Sequence, residues 1–375
     1  MISTTTAKYR VGVIGCGRKG TGHARGYQTH PMTEVVAASD PDQENLDLFC
    51  KRFNVTASYS SYEEMLQKEQ IDIAAPILPV IANPDAVVAC AQAGVKAIFS
   101  EKPISGSLED ADRMVEACRS RGIPFACGDS YRSFPQLWDA RSMIEAGDLG
   151  EVQSINLYQP TNEISGGGCQ GLSVTRMFAW DADVDWVTGW VAGDPQSDED
   201  QAMGGYVRFA NGIECFIHFR DAAKKGIEII CSRGVFYSDW YTFRIWTMES
   251  RDGTRLSDLH ELADRFPESN IGNRSYAEDG YRVAGFRQIS GIQSIVDSLE
   301  NGTEPACPGD SMRKALEIGI ALRESHRHGH APVKLPLEDR SLKIYPHQGR
   351  WLNKKEVYGK EQYAKEIGAF EKPRS

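Results

Sequence analysis

Residues 9–20, Tyr9-Arg10-Val11-Gly12-Val13-Ile14-Gly15-Cys16-Gly17-Arg18-Lys19-Gly20 (YRVGVIGCGRKG), decide the fold. A β-branched run enters Gly15-x-Gly17-x-x-Gly20 and leaves it as a helix through His23, Ala24 and Tyr27, followed by a second strand, Glu34 to Ala38, and Asp40. Strand, glycines, helix, strand and acid in this order mark a dinucleotide site. Gly15 permits the tight turn, Gly17 lets backbone approach a pyrophosphate, and Gly20 lets helix and strand pack closely. Phosphates rest on helix N-terminal amides, which puts Cys16, Arg18 and Lys19 in the same cradle. Asp40 lies 20 residues beyond Gly20, where an acid reaches the adenosine ribose hydroxyls. Its carboxylate repels a 2′-phosphate, and Pro41 follows with no arginine beside it, so NAD is expected over NADP, with Ser39 able to soften the preference.

Working outward, the βα rhythm continues. Helical patterns over Glu44–Asn54, Pro84–Ala93 and Ser107–Arg121 alternate with buried strands at Ile71–Ala75, Val95–Phe99 and Ile123–Cys127. This predicts an α/β fold: a doubly wound parallel sheet over residues 1–130, with ligands beyond the carboxyl ends of its strands. The 375-residue length favours two domains, and 41% hydrophobic with 25% charged residues suits a sizeable core. A net charge of −10 gives no reason to expect a nucleic acid or an anionic membrane as partner. Nine cysteines without a C-x-x-C pair argue against a disulfide framework, and no spacing suggests a metal. The start, MISTTTAKYR, has no apolar signal core and no apolar run approaches membrane-spanning length, so a reducing cytoplasm is the default expectation.

One strand end reads Phe99-Ser100-Glu101-Lys102-Pro103. Proline restricts Lys102 to extended backbone. The lysine then has two readings: an ammonium aimed into the cleft, or a solvated side chain leaving a strand.

The order G-x-G-x-x-G, the Asp40 strand, then AGVKAIFSEKP resembles the glucose–fructose oxidoreductase, inositol dehydrogenase and rhizopine-catabolism family. Tyr131-Arg132-x-x-Pro135, the Asp148-Leu149-Gly150-Glu151-Val152 crossover, Ile295–Gly302 with Pro305, and the helix Arg313–His328 leading to Val333-Lys334-Leu335-Pro336 extend the likeness over about residues 8–345. The resemblance implies oxidation or reduction of sugars and cyclitols with NAD(P). It implies that Lys102 hydrogen-bonds the reacting oxygen and helps its proton leave, with Glu101 and Pro103 shaping the turn at the nicotinamide. A cation there stabilises the developing alkoxide as hydride departs. Where the family has proline and then histidine after its fourth strand, this chain has Pro79 and Asn83; Asn83 is either a cofactor contact or a helix cap. Tyr131 is a substrate-pocket candidate, and Arg132 either contacts substrate or braces the crossover.

From residue 131 to 345 a second domain is expected, α+β with a large, mainly antiparallel sheet. Its hairpins are Gly205–Ala210 with Ile213–Phe219 about Asn211-Gly212, and Ile227–Cys231 with Val235–Trp240. Helices over 287–301 and 310–328 are expected to pack it. Phe209, Phe216, Phe219 and Phe236 suit core or interface equally. In the family the open face of this sheet forms the subunit contact, which implies a homodimer or homotetramer. Residues 346–375 read as a polar surface arm carrying Lys354, Lys355, Glu356, Lys360 and Glu361.

The family's acid–base pair, an aspartate and a histidine four residues on, follows a glycine run, here Gly166-Gly167-Gly168. Counting from Gly168 places Leu172 and Arg176 at those positions. Counting back from Trp186-Val187-Thr188-Gly189, which resembles the family's helix end, gives Thr175 and Ala179. Neither register supplies the pair. Proton transfer then falls to Lys102 with partners among Arg176, Asp181, Asp183 and Tyr131, and Gly168 lets backbone approach a substrate. Arg176 either binds an acidic sugar or pairs with Asp181. His218 and His326, His328 and His330 do not restore the pair. Three functions follow: an NAD-dependent dehydrogenase of a sugar, cyclitol or derivative; a redox-assisted glycosidase or lyase with tightly bound NAD; or a non-catalytic sensor of NAD and sugar.

Overall fold

The computed structural model describes residues 8–128, 131–158, 163–218, 223–240, 242–249, 255–263 and 280–346, with 355 and 359–362. Phe219, Lys354 and Glu356 lie outside them. The chain divides into two compact units, Met1–Asp129 with Ala284–Arg313 and Pro346–Ser375, and Ser130–Val283 with Lys314–Tyr345.

In the first unit, β1 (Tyr9–Ile14), α1 (Arg18–Thr29), β2 (Thr33–Ser39), α2 (Gln43–Phe53), β3 (Ala57–Tyr59), α3 (Tyr62–Lys68), β4 (Ile73–Pro76), α4 (Asn83–Gln92), β5 (Ala97–Glu101), α5 (Leu108–Arg119) and β6 (Phe125–Gly128) alternate. The six strands are parallel in the order β3-β2-β1-β4-β5-β6. Its order reverses beside β1, the switch point where such sheets bind ligands. Strands covered on both faces are apolar throughout, as Ile73, Ala74 and Ala75 are, each fully buried. Ser107 caps α5 as expected, accepting from Asp110 N–H, and Asp42 caps α2 by accepting from Asn45 N–H. The short β3 and α3 were not foreseen; three residues carry too little periodicity to read.

Helix α8 (Gly280–Asn301) corrects an expectation, because it belongs to this unit and not with the second sheet. Ile292 and Ile295 are fully buried in the core of Val11, Val13, Tyr27 and Phe49. The cause is on α1. Gly22 and Gly26, one turn apart, leave a groove, and a Cβ at Gly26 would lie 2.8 Å from Ile292 Cδ1. His30 Nε2 meets Gln293 Oε1 at 2.9 Å beside it. Beyond α8, Pro308 bridges Ala126, and Cys307 donates its thiol to Cys127 O at 3.1 Å, extending the edge at β6.

The second unit holds α6 (Pro135–Glu145), β7 (Val152–Tyr158), a π-helical turn (Ile164–Gly168), α7 (Cys169–Phe178), β8 (Val184–Val191), β9 (Met203–Phe209), β10 (Glu214–His218), β11 (Gly226–Cys231), β12 (Gly234–Ser238), β13 (Phe243–Glu249), β14 (Arg255–Glu261), most of α9 (Gly309–Arg327) and β15 (Val333–Lys334). Nine strands run β14-β13-β12-β11-β7-β10-β9-β8-β15, antiparallel except at β7 and β10. Both hairpins are present, with Gly212 at φ +91° in the first. One sheet face is buried, through residues such as Ile155, Leu157, Val207, Ile217 and Ile229. Phe209 and Phe236 are core residues, whereas Phe216 is 40% exposed on the other face. Trp186–Gly189 lies in β8 and is no helix end, which removes the register that pointed to Thr175 and Ala179.

Candidate active site

The nucleotide cradle is built by β1, α1 and β2. Gly15 has φ +96°, and a Cβ there would press on Ile77 O; a Cβ at Gly20 would be driven into Gly15 O. Both positions therefore admit only glycine. Helix α1 starts at Arg18 with Lys19 next to it and no acid in its first turn, leaving its N-terminal amides and dipole for an anion. Asp40, 8% exposed, accepts from Cys16 N–H through Oδ2 (2.7 Å) and from Asp42 N–H through Oδ1 (2.8 Å). Burial raises its carboxyl above the usual range, opposed by these two amides. Asp40 thus braces the glycine turn itself. Asn83 corrects the helix-cap reading: Ala82 occupies the cap position, and buried Asn83 donates through Nδ2 to Ile104 O at 3.2 Å. Its Oδ1 is buried without a hydrogen-bond partner, an acceptor that suits a cofactor donor such as an amide or hydroxyl. Pro79 O accepts from Ala82 N–H (3.0 Å) and Asn83 N–H (3.2 Å), fixing the turn into α4. Glycine cradle, acid-free helix start, the Asp40 carboxylate at the end of β2 and the Asn83 acceptor fit a dinucleotide.

At the end of β5, Glu101 lies under Lys102. Its Oε1 is 3.3 Å from His23 Nε2 and 3.7 Å from Lys19 Nζ, and its Oε2 accepts from Lys102 N–H at 3.1 Å. Burial alone would raise the carboxyl, but the charge of Lys19, the His23 contact and Lys102 outweigh it and hold it at about 2. Lys102 is half-buried and joined to Pro103 by a cis peptide. His23, 2% exposed, was not singled out from sequence as a site residue; its one signal was a polar ring among the residues of α1 that face the sheet.

In the second unit, Arg132, Arg176 and Asp181 form one buried group. Arg132 donates to both oxygens of Asp181, at 2.8 and 2.6 Å, and to Ser173 O at 3.1 Å. Arg176 donates to Ala182 O (3.0 Å) and Asp181 O (2.9 Å). Both guanidinium side chains are 2% exposed. Burial would raise the Asp181 carboxyl, yet Arg132 lowers it below its ordinary value, so it stays ionised. These contacts support the bracing reading of Arg132 and the pairing of Arg176 with Asp181: their polar groups tie the end of α7 to the segment after β6. Trp180 and Asp181 sit at φ +60° and +54°, a left-handed turn that the arginines hold. Asp183 faces outward and pairs with Lys314 at 2.8 Å. Tyr131 stacks on Trp240 with ring centroids 4.6 Å apart.

The glycine run forms the π turn. Asp200 accepts from Ile164 N–H (2.9 Å) and Ser165 N–H (2.7 Å) at its start. Gly168 is buried. Leu172 is 1% exposed and lines, with Leu157, Ile164, Gly168, Met203, Ile217 and Leu322, a cavity of about 10 Å³. By the register counted from Gly168, Leu172 is apolar core and the residue four positions on is the buried Arg176. His218 lies on the open sheet face, stacked on Tyr158. His326 accepts from Val191 N–H at 3.1 Å, holding α9 to β8. Among the described residues no cluster can hold a metal, and no helix is long and apolar enough to cross a membrane.

Residues 9–128 match the family described as "Oxidoreductase family, NAD-binding Rossmann fold". The chain is 24% identical to myo-inositol 2-dehydrogenase of Thermotoga maritima, over 84% of this chain and 96% of that one. It is 24% identical to scyllo-inositol 2-dehydrogenase (NAD(+)) of Bacillus subtilis, over 88% and 97%. The fold matches the WlbA dehydrogenase of Bordetella pertussis, solved with NADH and UDP-GlcNAcA, with a TM-score of 0.71, 20% identity and coverage of 89% and 99%. Residues 9–128, with their glycine cradle, Asp40 and Glu-Lys-Pro turn, thus match the NAD-binding Rossmann domain of that oxidoreductase family, and the chain as a whole is similar to the inositol dehydrogenases.

Proposed function

We propose that the protein is a dehydrogenase that moves hydride between NAD and a secondary alcohol of a sugar, cyclitol or sugar derivative. The observation that carries this is Lys102 at the end of β5, its backbone tied to a Glu101 that Lys19 and His23 keep ionised. NAD supplies the hydride acceptor. The Lys102 ammonium donates a hydrogen bond to the substrate oxygen and stabilises the negative charge that develops there as the hydroxyl proton departs to solvent and hydride leaves the carbon for NAD. Glu101 stays unprotonated and fixes the lysine's backbone. The names of the inositol dehydrogenases support the polyol class. The apolar Leu172 favours one second reading, a protein that binds nucleotide and sugar without turnover. A panel of cyclitols, sugars, uronates and glycosides, scored for NADH formation and for bond cleavage, separates the readings. Turnover that Lys102→Met abolishes supports the dehydrogenase; cleavage without added NAD supports a redox-assisted lyase; binding without turnover supports the sensor. The nine free cysteines suit a reducing compartment. The open face of the nine-stranded sheet is the proposed contact of a homo-oligomer.

A further inference from the structure

The C-terminal arm was expected to be a solvated surface segment, yet its Lys355 is packed against the nucleotide unit with a side chain only 11% exposed. The ammonium lies 2.6 Å from Asp42 Oδ2 and 2.9 Å from Glu44 Oε2. Asp42 in turn donates its N–H to Asp40 Oδ1 at 2.8 Å. Two carboxylates of the β2–α2 turn, Asp42 and Glu44, thus lie beside Asp40, and a cation from more than 300 residues away in sequence joins them. The contact with Asp42 raises the affinity of Lys355 for its proton, and the lysine lowers the carboxyl of Asp42, so both are charged.

From this geometry we infer that Lys355 is a selectivity residue of the cofactor site: a cation at the adenosine-ribose end whose attraction for a 2′-phosphate is cancelled by Asp42 and Glu44. This rests on the reading that Asp40 meets the adenosine ribose. With both carboxylates in place the cluster is net negative and rejects the additional phosphate of NADP. With them neutralised, the same ammonium can form a charge-assisted bond to that phosphate, whose source would be the cofactor and no other ligand. Lysine suits this task as a compact point charge on a flexible stem.

The test is binding of NAD and of NADP, measured by calorimetry on the full chain at fixed ionic strength, and needs no substrate. Asp42→Asn keeps an oxygen for the α2 cap, so the double variant Asp42→Asn/Glu44→Gln retains the fold, checked by its melting temperature. It is expected to raise the NADP-to-NAD affinity ratio about tenfold, and adding Lys355→Met is expected to return the ratio to the wild-type value. A ratio unmoved in the double variant overturns the inference. A gain that persists in the triple variant also overturns it, because removal of negative charge would then suffice. Asp40→Asn separates the two layers: it must itself shift the ratio toward NADP. If it leaves the ratio unchanged, the ribose assignment falls and the inference with it; if it shifts the ratio while the double variant does not, only the role of Lys355 falls.

Discussion

Glu101 is ionised where burial alone would protonate it, and that difference is a stability term with a definite sign. Its carboxyl is depressed from 4.5 to about 2 in the folded chain. A group depressed on folding stabilises fully above its unfolded value and loses that contribution as pH falls through the folded one. The contribution at neutral pH is about 3 kcal/mol, and it vanishes between about pH 5 and pH 2. Glu101→Gln carries no titrating group, so the stability gap between it and wild type is expected to be widest above pH 5 and to narrow steadily toward pH 2. Denaturant unfolding at several pH values measures this, and a gap independent of pH would refute the ion-pair account. The glycines, Asp40 and Lys102 were legible because each is set by local backbone demands within a few residues. Asn83 was singled out by its place after the fourth strand, though with a helix cap as the alternative; His23 and Lys355 were not, because what marks them out is a distant partner that spacing does not reveal.

Helix α7 shows how an element can keep a family's place while changing its content. Leu172 stands where the resemblance calls for an aspartate and packs beside an apolar cavity of about 10 Å³. Restoring the acid as Leu172→Asp would bury a carboxylate against the apolar side chains that line this cavity, at an expected loss of about 3 kcal/mol. Chemical denaturation checks this; a variant of wild-type stability would mean that the site is open to water or cations. At the other end of the helix, Asp181→Ala leaves Arg132 buried without its carboxylate, with an expected cost of about 3–5 kcal/mol. A catalytic Asp181 would instead reduce turnover while leaving the unfolding midpoint near wild type. The sequence carried the conflict itself, two registers and no pair, but not its resolution. Resolving it needed the knowledge that Trp186–Gly189 is a strand, and a short apolar run with tryptophans reads equally as buried helix or sheet. In the same way the pattern of 287–301 announces a helix with a buried face without saying which glycine groove receives it.

At the scale of the whole molecule, one face of the nine-stranded sheet carries no covering layer among the described residues of its own unit. Trp186 and Tyr206 lie 5.1 Å apart on that face, Tyr206 and Phe216 5.3 Å apart, and Trp190 and Phe216 are 39% and 40% exposed. Nine strands about 4.8 Å apart and about six residues long on average give a face on the order of 800 Å². A standard interface takes about 800 Å² from each partner, so the face alone is large enough for a specific contact. Its aromatic content with charges at Arg208, Glu214 and Glu228 resembles interface composition more than free surface. Light scattering is therefore expected to give a multiple of the 41.6 kDa chain mass. Trp190→Glu with Phe216→Glu places two carboxylates at the centre of the patch, where burial against a second copy would leave them unpaired, and is expected to yield the 41.6 kDa monomer. NAD affinity should survive, since the cradle lies in the other unit. A wild type that scatters as a monomer, or a double variant that keeps the wild-type mass, would place the contact elsewhere or remove it.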